Sequence, residues 1–299
     1  MSLRSTIHNL KFNKWNLAFI EEPLCEIVEK GEFKLHWMKG NNRRQWFADP
    51  FILEVTDTKI ICLVEELSYS TMKGRIARLE IERHSYRLIN TKILLDLPTH
   101  LSFPYIYRRG SDVFVLPENS ASGSSTIYKY DIDDDVLIPL HIIAEHPFTD
   151  ATIFREGVNS FLLSTELPSP NGQQLNIFEF RDDTFKVMQK PLQSIVFDNR
   201  CARNAGEMFR CGDKLYRPAQ DCNGGYGKGV ILQEVHLDQS GFHFHNVRSL
   251  YPDSWVYNMG YHTFNHYKGL TVIDAHGYRY LLLGRFLEAL STIARRFLK

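Results

Sequence analysis

The sequence lacks an excess of charge of either sign. Its 299 residues include 35 lysines and arginines and 35 aspartates and glutamates. Without a bulk positive field the chain has nothing to hold a polyanion, so we expect no nucleic-acid partner. No apolar run reaches the roughly 18 residues that span a bilayer, and residues 1–14 contain no stretch of signal-peptide length. We therefore expect no transmembrane segment and a cytoplasmic location.

Cysteine is scarce, and its spacing carries no metal or redox motif. The five cysteines form no Cys-x-x-Cys pair, and an odd number fits poorly with a complete disulfide framework. This pattern predicts reduced thiols, in keeping with the cytoplasmic expectation. Hydrophobic residues make up 43% of the chain and charged residues 23%, which is typical of a folded globular protein.

The sequence does contain an internal repeat of about 50 residues, which is the signature of an array or a propeller. Each repeat opens with a short strand, and we name the strand heads by their first pocket-facing residue: Asp49, Phe103, Asp150, Ala205 and Tyr261. A polar turn and a second apolar strand follow each head, over residues 59–66, 112–119, 160–166, 214–221 and 270–276. The alternation of apolar and polar residues in these segments predicts antiparallel, half-buried strands.

Third strands are predicted over residues 74–82, 126–133, 175–181, 229–237 and 278–283. Fourth strands are predicted over residues 86–95, 136–143, 185–188 and 242–247, which leaves the fifth repeat one strand short. Residues 15–20 supply that strand and close the ring, so that no sheet edge stays exposed. The sequence thus predicts an all-β, five-bladed β-propeller closed by an N-terminal strand.

The last residues follow a helical period instead of a strand period. Between residues 285 and 299 the apolar positions recur at helical spacing, with arginines between them. We predict one domain over residues 1–299, with the propeller at about 15–284 and a C-terminal α-helix at about 285–299. Two roles stay open for this helix: packing against the side of the propeller, or contact with a protein or membrane surface.

Polar residues at the strand heads and second-strand ends are expected to converge on one pocket, because the first strand of every blade lines the central channel. Carboxylates that share such a pocket push one another's pKa values apart, which is what glycoside hydrolysis requires. The set comprises Asp49, Glu65, Glu118, Asp150, Glu166, Arg203, Gln220, Asp221 and His262.

The first and third blade heads resemble those of five-bladed propeller glycosidases of the arabinanase and β-xylosidase type, glycoside hydrolase family 43. The resemblance rests on Asp49-Pro50-Phe51-Ile52 and on Asp150. It implies that Asp49 is the general base and that Asp150 tunes the acid and orients the substrate.

A second resemblance covers most of the chain. The segments 46–51, 101–105, 116–118, 202–206, 215–221, 226–227 and 262–264 are similar to the propeller domain at the N-terminus of plant glucosamine inositolphosphorylceramide transferases and its bacterial relatives. Those bacterial relatives tend to accompany surface-polysaccharide genes. This resemblance implies the same fold and a sugar-related context.

One departure concerns the general acid. The arabinanase-type enzymes carry a Glu-Gly-Pro motif at the fourth blade, whereas this sequence reads Ala205-Gly206-Glu207. Glu207 lies two residues further along the strand and hence deeper in the channel. We select Glu118 as the substitute acid, with Glu65 and Glu166 as alternatives.

These observations favour a glycosidase that acts on an oligosaccharide or surface polysaccharide. A sugar-binding propeller without catalysis and a scaffold in polysaccharide or glycolipid synthesis are the alternatives. Tyr226, in a glycine-rich blade turn, is predicted to stack on a sugar ring. No cofactor is expected: a structural Ca²⁺ ion on the channel carboxylates is conceivable, but no contiguous calcium loop indicates one.

Overall fold

The computed structural model describes residues 13–41 and 44–287, which form five antiparallel sheets arranged as the blades of a β-propeller. The predicted fold class is therefore confirmed. Twenty-one strands alternate with short turns, in the order that the repeat predicts. The innermost strand of each blade faces the channel, and the later strands lie progressively further out.

The strands of the first blade are β3 (Gln45–Val55), β4 (Lys59–Ser68), β5 (Gly74–Glu82) and β6 (Leu88–Leu95). Those of the second are β7 (Ser102–Arg109), β8 (Asp112–Glu118), β9 (Ser125–Asp131) and β10 (Val136–Ala144). Those of the third are β11 (Thr149–Glu156), β12 (Asn159–Thr165), β13 (Gln174–Arg181), β14 (Lys186–Val187) and β15 (Gln193–Val196). Those of the fourth are β16 (Phe209–Cys211), β17 (Lys214–Asp221), β18 (Gly229–Asp238) and β19 (Gly241–Leu250).

The fifth blade joins the two ends of the chain. It consists of β20 (Gly260–Tyr267) and β21 (Leu270–Tyr278), followed by the N-terminal strands β1 (Asn13–Ile20) and β2 (His36–Trp37). The N-terminal closure is as predicted, but the predicted third strand over residues 278–283 is wrong. β1 takes the third position and pairs with β21 from Asn13 opposite Tyr278 to Ile20 opposite Thr271.

Two other blades depart from the predicted strand pattern. In the third blade, β14 is only two residues long, and β15 pairs with the remaining part of β13. In the fourth blade, the inner strand is interrupted: residues 201–208 form one isolated bridge, Asn204 to Ala219, before β16 begins. The fourth blade therefore presents irregular backbone to the channel, where the other four present a strand.

The hydrophobic core lies between adjacent blades. One cluster fills the space between the first three blades, with Tyr105, Phe103 and Phe178 fully buried. A second packs β1 and β21 against the first blade and includes Leu17 and Phe19. Each sheet thus buries both faces, as a ring of packed sheets requires.

A short helix, α1 (Leu24–Lys30), follows β1 and is bonded to the fourth blade by a disulfide between Cys25 and Cys211. The prediction of reduced thiols is therefore wrong for these two residues. Cys62, Cys201 and Cys222 are free and buried, as small apolar residues are. The cytoplasmic location stays a prediction, and the disulfide is more typical of an oxidising compartment.

The C-terminal helix, α2, begins at residue 281, four residues earlier than predicted, and is helical through 287. The remainder of the predicted helix lies outside the described residues. Within the described part of the chain, no helix has the length and hydrophobicity to cross a membrane.

Candidate functional site

Local backbone distortions occur at three strand heads, two of which, Asp49 and Asp150, carry carboxyl groups of the candidate site. Asp49, Phe103 and Asp150 have φ values of 51°, 41° and 45°, in the left-handed region that non-glycine residues rarely occupy. At each of them the pairing of the first and second strands shifts by a bulge. Bulges redirect side chains next to functional sites, and such strain persists only where the surrounding structure imposes it.

The first group at the channel mouth, the arginine cluster, consists of Asp150, Arg203, Glu118 and Gln220. The Arg203 Nε donates to Asp150 Oδ2 over 2.6 Å, and an Nη lies 3.3 Å from Glu118 Oε2. The Gln220 amide donates to the same Asp150 oxygen over 2.7 Å. Residues predicted from three separate repeats of the sequence therefore meet around one guanidinium.

The pKa values of the two carboxyl groups of the arginine cluster are shifted in opposite directions. Burial raises the pKa of Asp150 well above its ordinary value, and the charge of Arg203 only partly offsets it. For Glu118, burial is outweighed by the Arg203 charge and by hydrogen bonds from Asp150 and Ser120, so its pKa is lowered. Burial therefore favours the neutral form of Asp150, whereas Arg203 and the hydrogen bonds favour the ionised form of Glu118.

A second arginine holds the irregular backbone that carries Arg203. Arg217 is fully buried and donates to Asn204 Oδ1 over 2.8 Å, to Gln233 Oε1 over 2.6 Å and to the Ala202 carbonyl. No carboxylate contacts it among the described residues, and burial lowers its pKa to about 9. Its donors are satisfied by neutral acceptors, and Asn204 in turn donates to the Asp150 carbonyl over 2.8 Å.

The second group, the histidine cluster, consists of Asp49, His262 and Asp274, all buried. The His262 Nε2 lies 3.2 Å from Asp49 Oδ1, and its Nδ1 lies 2.6 Å from Asp274 Oδ2. Backbone amides complete the group: Asp49 donates to Asp274 over 2.8 Å, and Phe103 donates to Asp49 over 2.9 Å. The imidazole is thus held between two carboxylates from different blades.

Protonation in the histidine cluster follows from burial and charge. Burial lowers the pKa of His262, but the two aspartates outweigh this and raise it to about 9. The pKa of Asp274 is lowered, because the His262 charge and several donors outweigh burial. Burial raises the pKa of Asp49 to about 7, even though the His262 charge opposes the shift. Asp49 is therefore poised to exchange a proton near neutral pH.

These three residues are the group, within the described residues, that could hold a metal ion, since their ligand atoms lie within 4.8 Å of one another. Both ring nitrogens of His262 face carboxylate oxygens of this group, at 3.2 Å from Asp49 and 2.6 Å from Asp274. The expectation of no cofactor stays a prediction.

Aromatic rings frame the two clusters. Trp15 of the closing strand stacks on His262 at 4.0 Å and on His276 at 4.2 Å between ring centroids. Tyr226, 43% exposed, meets His262 edge to face at 5.3 Å, and the Arg203 guanidinium lies 5.0 Å from its ring centre. Tyr226 thus lies between the clusters with part of its side chain open to solvent.

Glu65 adds a further carboxylate at the mouth. It is buried, and its Oε1 lies 3.1 Å from the Nε2 of His100, which is about half exposed. Hydrogen bonding to Glu65, opposed by burial, raises the pKa of His100. Glu65 also lies close enough to Asp49 to contribute to the raised pKa of that residue.

Three other candidates lie apart from the two clusters. Asp221 accepts from Tyr251 over 2.7 Å and from the Asn223 backbone, so it fixes a turn. Glu166 contacts His146 and Asn176 within the third blade. Glu207 has a pKa raised to about 7 by burial, with Arg108 opposing, and its backbone amide donates to Asn265.

Sequence reasoning missed Asp274, which contacts both Asp49 and His262. The signal was available, because Asp274 is the single acidic residue in the apolar run of β21, where a solvated role is excluded. It also missed His100 and Trp15 as site residues. Their participation depends on loop positions and on ring closure, which have no local signature.

The fold defines a class, the five-bladed β-propellers. The fold is similar to a β-xylosidase, RS223, with a TM-score of 0.55, 12% identity and coverage of 78% of this chain and 93% of that one. It is also similar to a GH43_1 enzyme from Xanthomonas citri, with a TM-score of 0.55, 11% identity and coverage of 79% and 88%. At such identities the likeness shows the fold alone.

Residues 37–255 match the family described as glucosamine inositolphosphorylceramide transferase 1, N-terminal, and the chain belongs to this family. The transferase of that name from Arabidopsis thaliana is 26% identical over 203 residues, covering 64% of this chain and 26% of the relative. The one from Oryza sativa subsp. indica is 24% identical over 209 residues, covering 66% and 27%. The chain spans about a quarter of the length of these relatives.

Proposed function

We propose that the chain is a carbohydrate-binding propeller that holds a sugar at the channel mouth without hydrolysing it. The observation that carries this proposal is the ion pairing of Glu118 with Arg203, at 3.3 Å. Glu118 was the substitute for the acid that Ala205 replaces. A general acid must hold a proton at the working pH, and the lowered pKa of Glu118 leaves it ionised.

The same mouth has what sugar binding requires. Tyr226 offers a partly exposed ring, and the surrounding carboxylates and the Gln220 amide are hydrogen-bonding groups of the kind that recognise hydroxyls. Ion pairing fixes these groups in place before the ligand arrives, so little ordering entropy is lost on binding. Arg203, Tyr226 and His262 are the residues that link the two clusters.

The names of the relatives support a biosynthetic context for this proposal. The plant proteins are named glucosamine inositolphosphorylceramide transferases, a name that pairs an amino sugar with an inositol phospholipid. We infer that the propeller binds the saccharide part of a molecule that is being built, in glycolipid or polysaccharide synthesis. The scaffold alternative predicts partner binding without sugar affinity.

Hydrolysis is the second candidate, and the pKa of Asp49 favours it. At about 7 that pKa suits a general base near neutral pH, and Asp49 stands at the first blade head as in the glycosidases that the sequence resembles. Under this candidate Asp49 activates water, Asp150 orients the substrate, and Glu207, whose pKa burial raises to about 7, supplies the proton.

Calorimetric titration with a panel of soluble oligosaccharides tests the proposal, with chromatography of the same mixtures to detect products. We expect binding without products, and Tyr226→Ala should weaken it roughly threefold to tenfold through lost stacking. Val158→Ala, in the turn at the opposite end of the channel, is the matched control. Product formation that disappears in Asp49→Asn would favour hydrolysis instead. A panel with neither binding nor products would contradict both candidates.

A further inference from the structure

An exposed apolar patch lies beside the channel mouth. We define it as Trp255 and Val256, from the loop before β20, together with Tyr280, Leu282 and Phe286, from the residues after β21. Trp255, Leu282 and Phe286 are 67%, 80% and 60% exposed. The two parts are joined, because the Arg285 guanidinium lies 3.6 Å above the Trp255 ring and donates to the Trp255 carbonyl. Contiguous exposed apolar groups mark an interaction site, whereas scattered ones do not.

Strand direction places this patch on the face of the mouth. β21 is antiparallel to β20, and the pairing of His276 with Gly260 puts the end of β21 beside the head of β20. Asp274 of the histidine cluster is only four residues before Tyr278, the last residue of that strand. The patch therefore starts within a few residues of the site and faces the same way.

Positive charge is concentrated in the segment that carries the patch. Residues 278–299 contain five basic residues, Arg279, Arg285, Arg295, Arg296 and Lys299, against one acidic residue, Glu288. The chain as a whole is neutral, so this segment is a local exception. Arg279 lies over Tyr69, 3.7 Å from its ring centre, and Arg285 lies over Trp255.

We propose that the apolar patch and its arginines dock the mouth face of the propeller onto an anionic lipid bilayer. Leucine and phenylalanine insert among acyl chains, Trp and Tyr rings favour the headgroup boundary, and arginines attract anionic lipid. A second copy of the chain fits less well. A two-fold contact would set one basic segment against its symmetry mate, and like charges repel.

Docking in this pose has a consequence for the ligand, which rests on the proposed function. A sugar-binding mouth that faces a bilayer is placed to receive the saccharide of a membrane lipid rather than a free oligosaccharide. The exposed Tyr226 would then contact a headgroup presented from the membrane plane.

Co-sedimentation of the full chain with phosphatidylcholine vesicles, with and without phosphatidylglycerol, tests the docking. We expect the protein to bind the vesicles that contain phosphatidylglycerol. The affinity of the Leu282→Glu/Phe286→Glu double variant for these vesicles should be at least about tenfold lower. Val158→Glu changes an apolar residue that is 99% exposed at the opposite end of the channel, and this variant should bind like the wild type. Brominated lipid should quench wild-type tryptophan fluorescence more than that of Trp255→Phe.

Equal sedimentation of the double variant and the wild type would overturn the proposal, as would failure of the wild type to bind either vesicle. Self-association that the double variant abolishes, without vesicle binding, would identify a second copy as the occupant. Titration with soluble sugars separates this inference from the proposed function. Sugar binding without vesicle binding would support the proposed function and contradict the docking. Vesicle binding without sugar binding would support the docking and contradict the proposed function.

Discussion

At the scale of single residues, the mouth is built so that each cation is shared by two carboxyl groups. Arg203 lies between Asp150 and Glu118, and His262 lies between Asp49 and Asp274. In each trio the pKa of one carboxyl group is lowered and that of the other is raised. Desolvation therefore opposes the ionisation of two carboxyl groups beside a single cation.

Asp49 gives this arrangement a measurable pH dependence. Its pKa in the folded state, about 7, exceeds the ordinary value of 3.8, so the folded protein binds this proton more tightly than the unfolded chain. The associated stability is complete below pH 4 and is lost as the pH rises towards 7, at a slope of up to about 1.4 kcal/mol per pH unit. Asp49→Asn mimics the protonated form and should flatten this part of the profile.

Urea denaturation of wild type and Asp49→Asn across this pH range provides the measurement. The variant should also lower the pKa of His262, because one of its two carboxylate neighbours is gone, and NMR of the imidazole would detect the shift. Superimposable stability profiles together with a lowered His262 pKa in the variant would show that Asp49 is already ionised at low pH, and would contradict the prediction.

At the scale of elements, the sequence predicted strands well where alternation and polar strand ends coincide. β4, β5 and β17 begin where expected because their apolar runs are bounded by turns. The run from Tyr278 to Leu283 misled the prediction, since a short apolar segment suits a strand or a helix equally. β1 took its place because this strand, buried from Trp15 to Ile20, pairs with β21 over eight positions, and no local pattern reveals that pairing.

The mouth shows the same limit. The convergence of Asp150, Arg203 and Gln220 followed from blade topology, because equivalent positions in a propeller share a channel. The side chains that pair with the site residues could not be predicted in this way. The pairing of His262 with Asp274, and the pinning of Arg203 by Glu118, depend on side-chain directions set by bulges and by the irregular fourth inner strand.

The disulfide between α1 and β16 makes a prediction at this scale. A seven-residue helix is too short to be stable alone, and α1 is held by buried Ile27 and Val28, by Arg248 on its last carbonyls, and by Cys25–Cys211. Because the bond closes a loop of 186 residues, Cys25→Ala/Cys211→Ala should lower the free energy of unfolding by on the order of 2–5 kcal/mol.

Chemical denaturation of the variant, compared with reduced and oxidised wild type, measures this cost. Reduced wild type should resemble the double variant. Alkylation of the unfolded, unreduced chain should modify three cysteines, and all five should react after reduction. Modification of five cysteines before reduction would show that the bond is absent, and would support the cytoplasmic prediction.

At the scale of the whole molecule, ring closure by β1 couples the site to the stability of the fold. The strand that completes the fifth blade also carries Trp15, which stacks on His262 of the histidine cluster. Leu17 and Phe19 of the same strand are fully buried in the core shared with the first blade. The chain cannot open its ring without exposing this core and loosening the mouth.

Closure of this kind predicts that the propeller unfolds as one unit, with β1 as firmly held as an internal strand. Leu17→Ala in β1 and Leu163→Ala in β12 remove equally buried side chains from opposite parts of the ring. Each should lower the free energy of unfolding by about 2–5 kcal/mol and leave a single transition in urea.

Native-state hydrogen exchange should show β1 and β21 amides opening only with global unfolding. If Leu17→Ala instead loosened only those amides while the other blades kept wild-type protection, the fifth blade would be a separable closure, and sugar binding at the mouth would weaken before the propeller unfolds.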